Sequence, residues 1–78
     1  NQQPNNRDTF NTLSKRQKQV LDLISLGRSN QAIADELDLT IPTIKMHVSA
    51  ILKKLNVKNR TEAVSIYTNL EKVSDLIS

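Results

Sequence analysis

The sequence predicts an all-α fold, a compact four-helix domain that contains a helix-turn-helix. Apolar residues recur at the spacing of amphipathic helices, a capping residue precedes each such segment, and no strand-like alternation or hairpin turn appears. The 78 residues suffice for one domain. We expect residues 1–12, which are rich in Asn and Gln, to form a disordered tail or interdomain linker, although Phe10 could dock on the domain. Residues 13–78 form the predicted domain.

The first predicted helix spans about residues 15–26. Ser14 and Gln17 have the S-x-x-Q spacing of a capping box, so Ser14 is the expected N-cap. Gly27, the only glycine, stands where a left-handed C-terminal cap is needed. The apolar face consists of Val20, Leu21 and Ile24.

The second and third predicted helices, at about 29–38 and 41–55, are separated by a very short turn. Ser29 and Thr40 are their expected caps, and Pro42 falls in the first turn of the third helix, where its missing N–H costs no hydrogen bond. Two short helices joined so tightly must cross steeply, as they do in a helix-turn-helix. The apolar positions of the second helix are Ile33, Ala34 and Leu37.

The fourth predicted helix spans about residues 60–69 or continues further. Asn59 is its expected cap, and Glu62 would close an N-x-x-E box. The sequence leaves the end open between Asn69 and Leu76. Its apolar positions are Ala63, Ile66, Tyr67 and Leu70.

The third helix has one apolar and one polar face. At about 100° per residue, its core-facing positions fall within an arc of roughly 100°. Those positions are Ile44, Val48, Ile51, Leu52 and Leu55. The opposite side carries Pro42, Met46, Ser49, Ala50 and Lys53, with Lys45 on one flank and Thr43, His47 and Lys54 on the other.

Positive charge is concentrated around this helix. Residues 39–61 contain five basic residues and no acidic one, although the net charge of the whole chain is only +3. A local excess of this kind attracts polyanions, nucleic acid first among them. Because Phe10 and Tyr67 are the only aromatic residues, base stacking on several rings is not expected, and duplex DNA is the favoured ligand.

The outer face of the third helix suits the DNA major groove, which admits one α-helix. Lys45 and Ser49 would hydrogen-bond to base edges, and Met46 would pack on a thymine methyl group. The predicted phosphate contacts come from residues near helix ends, namely Ser29, Asn30, Lys53, Lys54, Lys58 and Arg60. For each lysine taken alone, the alternative is an ordinary solvated helix surface.

Other chemistry is not expected. The chain has no cysteine, which excludes disulfides, thiolate metal sites and thiol catalysis. His47 has no partner at metal-ligand spacing, and no nucleophile–base set, phosphate-binding glycine loop or paired carboxylates beside a histidine occur, so we expect neither an enzyme nor a cofactor. The apolar runs are too short for a signal peptide or membrane span, and we expect a soluble cytoplasmic protein.

Residues 13–67 resemble the LuxR-type (LuxR/FixJ, GerE-like) helix-turn-helix domain. The matching residues are Leu13, Ser14, Arg16, Val20, Leu21, Gly27, Ser29, Asn30, Ile33, Ala34, Leu37, Thr43, Ile44, Lys45, His47, Ile51, Lys54, Leu55, Val57, Arg60 and Ala63. Departures from the family pattern are Gln17 and Gln19 where glutamates are common, Ala32 where an acid is usual, and Asn56 in place of a frequent glycine.

The resemblance implies the DNA-binding output domain of a bacterial transcription factor, either a response regulator of a two-component system or a ligand-sensing regulator. Base contacts would come from the positions of Lys45, Met46 and Ser49, whereas Thr43 and Lys54 would hold phosphates. The bound protein would be nucleoid-associated, and contact with RNA polymerase is a further implied interaction.

The resemblance also implies that the fourth helix forms a homodimer on a pseudo-palindromic DNA site. The candidate interface residues are Val64, Tyr67, Thr68 and Glu71. The alternative for Tyr67 is that its ring covers the core of the monomer.

A second functional hypothesis is a basic helical protein-interaction module that binds an acidic partner. A sigma-factor-like domain, which contacts both promoter and polymerase, lies between the two hypotheses. Steep salt dependence and a preference for a selected DNA site would distinguish DNA binding from the alternative.

Overall fold

A computed structural model describes the backbone of residues 10–77 and the side chains of residues 10–69. Four complete α-helices follow one another, α1 (Lys15–Ser25), α2 (Asn30–Leu37), α3 (Ile41–Leu55) and α4 (Arg60–Ile77), and no strand occurs among the described residues. The predicted all-α fold is therefore confirmed. The first three helices agree with prediction to within a residue at each end, and α4 takes the longer of its two predicted lengths.

Hydroxyl side chains cap the first three helices as predicted. Ser14 Oγ accepts from the backbone N–H of Gln17 at 3.1 Å, and Gln17 Oε1 accepts from the N–H of Ser14 at 2.9 Å, which completes the capping box. Ser29 Oγ accepts an N–H from the first turn of α2 at 3.1 Å, and Thr40 Oγ1 accepts one from α3 at 3.3 Å. These bonds satisfy backbone donors that have no partner inside the helix.

The fourth helix, α4, starts at the predicted residue, but one of its capping hydrogen bonds differs from prediction. Asn59 Oδ1 accepts from the N–H of Glu62 at 2.9 Å, which is the predicted cap. The Glu62 carboxylate, however, accepts from the N–H of Lys58 at 2.8 Å, so the prediction that it would close a box on Asn59 is wrong. The carboxylate therefore accepts from a residue one position earlier in the chain than predicted.

Left-handed residues terminate the first three helices. Gly27 has φ +84°, and the N–H of Arg28 donates to the carbonyl of Leu23 at 3.1 Å, in the pattern of a Schellman motif. Asp38 and Asn56 each have φ 57°, so Asn56 adopts the left-handed conformation that glycine adopts more readily. The short segment 38–40 between α2 and α3 thus begins with a left-handed residue and ends with a helix cap.

The four helices share one hydrophobic core. Its buried members are Leu13, Val20, Leu21, Leu23, Ile24, Ile33, Ala34, Ile44, Ile51, Leu55 and Ala63. Val48 and Leu52 of the predicted α3 stripe are half-buried against this core, and so is Leu37 of α2. Since Ile44 and Ile51 have no exposed surface, the core determines which face of α3 is turned outward.

Residues 10–12 lie within the segment predicted to be a tail, and Phe10 packs against the domain. The Phe10 ring is half-buried, with its centroid 5.7 Å from that of Tyr67 and the Lys18 ammonium 5.2 Å away over its face. The hydroxyl of Tyr67 donates to the Asp22 carboxylate at 2.8 Å. The docking that the sequence left open for Phe10 therefore occurs, whereas residues 1–9 lie outside the described residues.

Candidate nucleic-acid interface

The outer face of α3 presents the three residues predicted to contact bases. Lys45, Met46 and Ser49 are all exposed, and the Met46 residue is 68 % accessible although it is apolar. Ile44 anchors the opposite face in the core with 0 % exposure. One apolar side chain between an ammonium and a hydroxyl group matches the mixture of hydrogen-bonding edges and thymine methyl groups in a major groove.

Basic side chains lie beyond this face, at the carboxyl end of α3 and after it. Lys53 and Lys54 occupy the last turn of α3 and are exposed, as is Lys58 in the following loop. Cations at this end of a helix are stabilised by the helix dipole. The basic positions predicted from the sequence therefore extend from the outer face of α3 towards the start of α4.

Lys54 is held in place from outside its own helix. Its ammonium donates to the backbone carbonyl of Thr12 and to Gln17 Oε1, each at 3.1 Å. Both acceptors are uncharged, so the bonds direct the ammonium group while its positive charge remains uncompensated by them. Lys54 thus joins the last turn of α3 to the segment that enters α1.

Arg60 also makes contacts inside the domain. Its guanidinium donates to Asn30 Oδ1 at 2.6 Å and to the carbonyl of Arg28 at 2.7 Å, and its side chain is half-buried. These bonds tie the start of α4 to the start of α2. Two of the predicted phosphate-binding residues, Asn30 and Arg60, are therefore hydrogen-bonded to each other.

The remaining predicted phosphate residues lie at helix starts. Ser29 is exposed at the N-terminus of α2, where its hydroxyl already caps the helix. Thr43 is half-buried in the first turn of α3, with its hydroxyl oxygen 2.9 Å from that of Thr40. Both hydroxyl groups make a hydrogen bond at a helix start, where the first backbone N–H groups have no acceptor within the helix.

Comparison with known proteins agrees with this arrangement. Residues 11–67 match the family described as "Bacterial regulatory proteins, luxR family". The chain belongs to the luxR family. Its resemblance to LuxR-type domains is therefore confirmed, and its membership makes it a helix-turn-helix domain of DNA-binding transcription regulation.

Several proteins similar to the chain are named response regulators. The response regulator proteins VraR of Staphylococcus aureus, Staphylococcus saprophyticus and Staphylococcus epidermidis are each 47 % identical to the chain over 57 residues. The match covers 73 % of the chain but only 27 % of each relative, so the chain spans about a quarter of the length of these proteins.

The residues predicted for dimerisation of this LuxR-family domain differ in how far they are buried in the monomer. Val64 is half-buried against the core, and Tyr67 is half-buried with its contacts to Phe10 and Asp22 inside the monomer. Thr68 is exposed on the same helix. The side chain of Glu71 lies outside the described residues.

Potential metal ligands do not cluster in the described part of the domain. No cluster of three or more His, Cys, Asp or Glu side chains arranged for a metal ion occurs there. His47 is half-buried on the flank of α3. Over the same described residues, no helix combines the length and apolar character that crossing a membrane requires.

Sequence reasoning missed the residues that hold Lys54. Gln17 was identified through its capping-box spacing, which predicts its bond to Ser14 but carries no information about a side chain 37 positions away. The carbonyl of Thr12 has no sequence signal at all, because every residue has one. A neutral residue at position 17, where the family often has glutamate, was the only available sign of an unusual environment.

Proposed function

We propose that this domain binds duplex DNA sequence-specifically, with α3 in the major groove, and thereby regulates transcription. The observation that carries the proposal is the outer face of α3, on which Lys45, Met46 and Ser49 are exposed together while the opposite face is anchored in the core. A rigidly anchored helix can bring these three side chains to base edges in a fixed register. No enzymatic step and no cofactor are part of the proposal.

Two groups of phosphate contacts would flank the outer face of α3. One is formed by Lys53, Lys54 and Lys58, whose exposed ammonium groups release counterions when they meet the DNA backbone. The other comprises hydroxyl, amide and guanidinium groups near the starts of α2, α3 and α4, namely Ser29, Asn30, Thr43 and Arg60. Because Asn30 and Arg60 bond to each other, they would contribute largely by fixing the N-terminus of α2 against the DNA.

The DNA-bound form would be a homodimer on a pseudo-palindromic site, with α4 at the interface. Thr68 is exposed there, and α4 continues for 18 residues, long enough to extend past its described core contacts. Val64, Tyr67 and Glu71 complete the proposed interface. Since Tyr67 already packs on Phe10, its contribution to a dimer would come from the part of its ring that remains accessible.

The domain would be the output part of a bacterial response regulator in a two-component system. The support is its similarity to VraR, whose name describes a response regulator, over about a quarter of that protein's length. Regulation by a ligand-sensing domain is the other arrangement that the sequence suggests. The protein would act in the cytoplasm, at the nucleoid, with RNA polymerase as a further partner.

Selection of bound sequences from random duplex DNA tests the proposal. We expect an enriched site with two inverted half-sites, and a slope of log affinity against log salt on the order of −4 to −8 for a dimer. A monomer bound to one half-site would contradict the dimer. Equal, weak affinity for every sequence would contradict specific binding and favour the basic protein-interaction module.

A further inference from the structure

One side-chain atom of Gln17, Oε1, accepts two hydrogen bonds. It accepts from the backbone N–H of Ser14 at 2.9 Å, which caps α1, and from the ammonium group of Lys54 at 3.1 Å, in the last turn of α3. A single side-chain oxygen therefore couples the start of α1 to the end of the proposed recognition helix. Either bond alone would have an ordinary structural explanation.

The combination orients Lys54 through acceptors that carry no charge. An ammonium group has three N–H donors and no acceptor, and two of these donors are directed at Gln17 and the Thr12 carbonyl. Neither of these two bonds uses the third donor. Since neither protein acceptor bears a charge, the attraction between this lysine and an anion is retained.

The surroundings of Lys54 are free of acidic residues on the two helices that approach it there. The first turn of α1 contains no acidic residue and includes Lys15 and Arg16, and the last turn of α3 contains Lys53 and Lys54. Glutamate at position 17 would form the same capping box and would be favoured by the positive end of the α1 dipole. Glutamine at this position therefore forgoes a favourable charge on α1.

We propose that Gln17 is a positioning residue for a DNA phosphate contact made by Lys54. Its amide oxygen fixes the lysine side chain before DNA arrives, which reduces the ordering that binding requires, and does so without neutralising the ammonium. The ligand recognised by this arrangement is a backbone phosphate rather than a base. The inference rests on the proposed function, and it assigns to a capping residue of α1 a part in DNA affinity.

The test compares Gln17→Glu with wild type in the 78-residue chain, on the duplex selected by the wild-type protein. We expect Gln17→Glu to weaken binding about tenfold and to make the salt slope shallower by about 1 per subunit, because a carboxylate beside Lys54 competes with the phosphate for its ammonium group. The melting temperature should stay the same or rise, because glutamate caps α1 at least as well. Loss of folding therefore cannot account for weaker binding.

Two further variants make the result specific. Gln19→Glu introduces the same charge two residues along α1, at an exposed position, and should weaken binding less than about threefold. Lys54→Met removes the ammonium, and Gln17→Glu should then have little additional effect. Equal losses from Gln17→Glu and Gln19→Glu, or an undiminished effect of Gln17→Glu in the Lys54→Met background, would overturn the inference.

The wild-type titration separates this inference from the proposed function. If wild type binds the selected duplex with a steep salt slope and the Gln17→Glu effect is absent, the positioning role alone is wrong. A wild-type protein that bound no duplex would overturn the proposed function and the positioning role with it.

Discussion

The guanidinium of Arg60 donates to Asn30 Oδ1 at 2.6 Å, and this bond joins the first residue of α4 to the first residue of α2. A second bond, from Arg60 to the carbonyl of Arg28 at 2.7 Å, fixes the loop between α1 and α2 as well. One side chain therefore connects the α1–α2 loop, the start of α2 and the start of α4 at the edge of the proposed DNA-binding surface. Its removal should affect folding as well as binding.

We expect Arg60→Ala to lower the free energy of unfolding by about 2 kcal/mol, since two charge-assisted hydrogen bonds are lost at a half-buried site. Urea denaturation followed by circular dichroism measures this change. Lys58→Ala is the matched control, because it removes a neighbouring but exposed cation and should change stability by less than about 0.5 kcal/mol. Equal effects of the two variants would show that charge, rather than the hydrogen bonds, is responsible.

Substitutions on the outer face of α3 should change DNA sequence preference without a loss of stability. Met46→Ala and Ser49→Ala should each alter preference at one or two base pairs, because both side chains are exposed on the outer face of α3. Lys53→Ala should instead weaken all duplexes similarly and reduce the salt slope by about 1. Competition binding against single-base variants of the DNA site distinguishes these outcomes. If only Lys53→Ala changed the relative affinities for these DNA variants, the proposed orientation of α3 would be wrong.

Tyr67 allows the monomer and dimer roles of α4 to be separated. Tyr67→Phe removes the hydroxyl that donates to Asp22 but keeps the ring against Phe10, and we expect it to destabilise the domain by about 1 kcal/mol or less. Tyr67→Ala also removes the ring contact and should cost more.

The dependence of the melting temperature on protein concentration shows whether Tyr67 stabilises the monomer or the dimer. If the tyrosine stabilises the monomer, the loss in melting temperature should be the same at every protein concentration. A loss that appears only at concentrations at which wild type sediments as a dimer would instead place Tyr67 at the subunit interface. Thr68→Arg, which alters an exposed position one residue away, is the companion variant for the dimer alone.

Substitutions at two left-handed positions, Gly27 and Asn56, should change stability in opposite directions. Gly27→Ala should destabilise the domain by about 1 kcal/mol, because residue 27 has φ +84°, which is unfavourable for alanine. The added methyl group would have no other atom within 4 Å, so neither a clash nor a new contact changes this cost. Asn56→Gly should stabilise it by up to about 1 kcal/mol, since Asn56 has φ 57° at the end of α3. Thermal unfolding of the two variants in parallel would test the backbone explanation, and a destabilised Asn56→Gly protein would contradict it.

Much of the fold could be predicted because its determinants are local. The caps formed by Ser14, Ser29 and Thr40 depend on residues within three positions, and the left-handed ends at Gly27 and Asn56 depend on backbone conformational preference. The apolar stripe of α3 follows from helical periodicity alone. Such features are visible in a sequence because the interacting groups are neighbours in it.

Prediction was weaker where one group can choose between partners. The Glu62 carboxylate was expected to accept from Asn59 and accepts from Lys58, a difference of one residue that spacing rules do not resolve. The length of α4 was also open, because its apolar pattern supports a short or a long helix. The structure extends α4 to Ile77.

The sequence by itself determined the helices, their caps, the outward orientation of Lys45, Met46 and Ser49, and the concentration of positive charge around α3, since all of these follow from local spacing and composition. Only the tertiary structure decided what the flanking groups contact. It placed Lys54 on Gln17 and the Thr12 carbonyl, Arg60 on Asn30, and Tyr67 on Asp22, across 30 to 45 positions of the chain. The physical reason is that long polar side chains can reach several acceptors, and the packing of four helices around one core determines which acceptor is within reach.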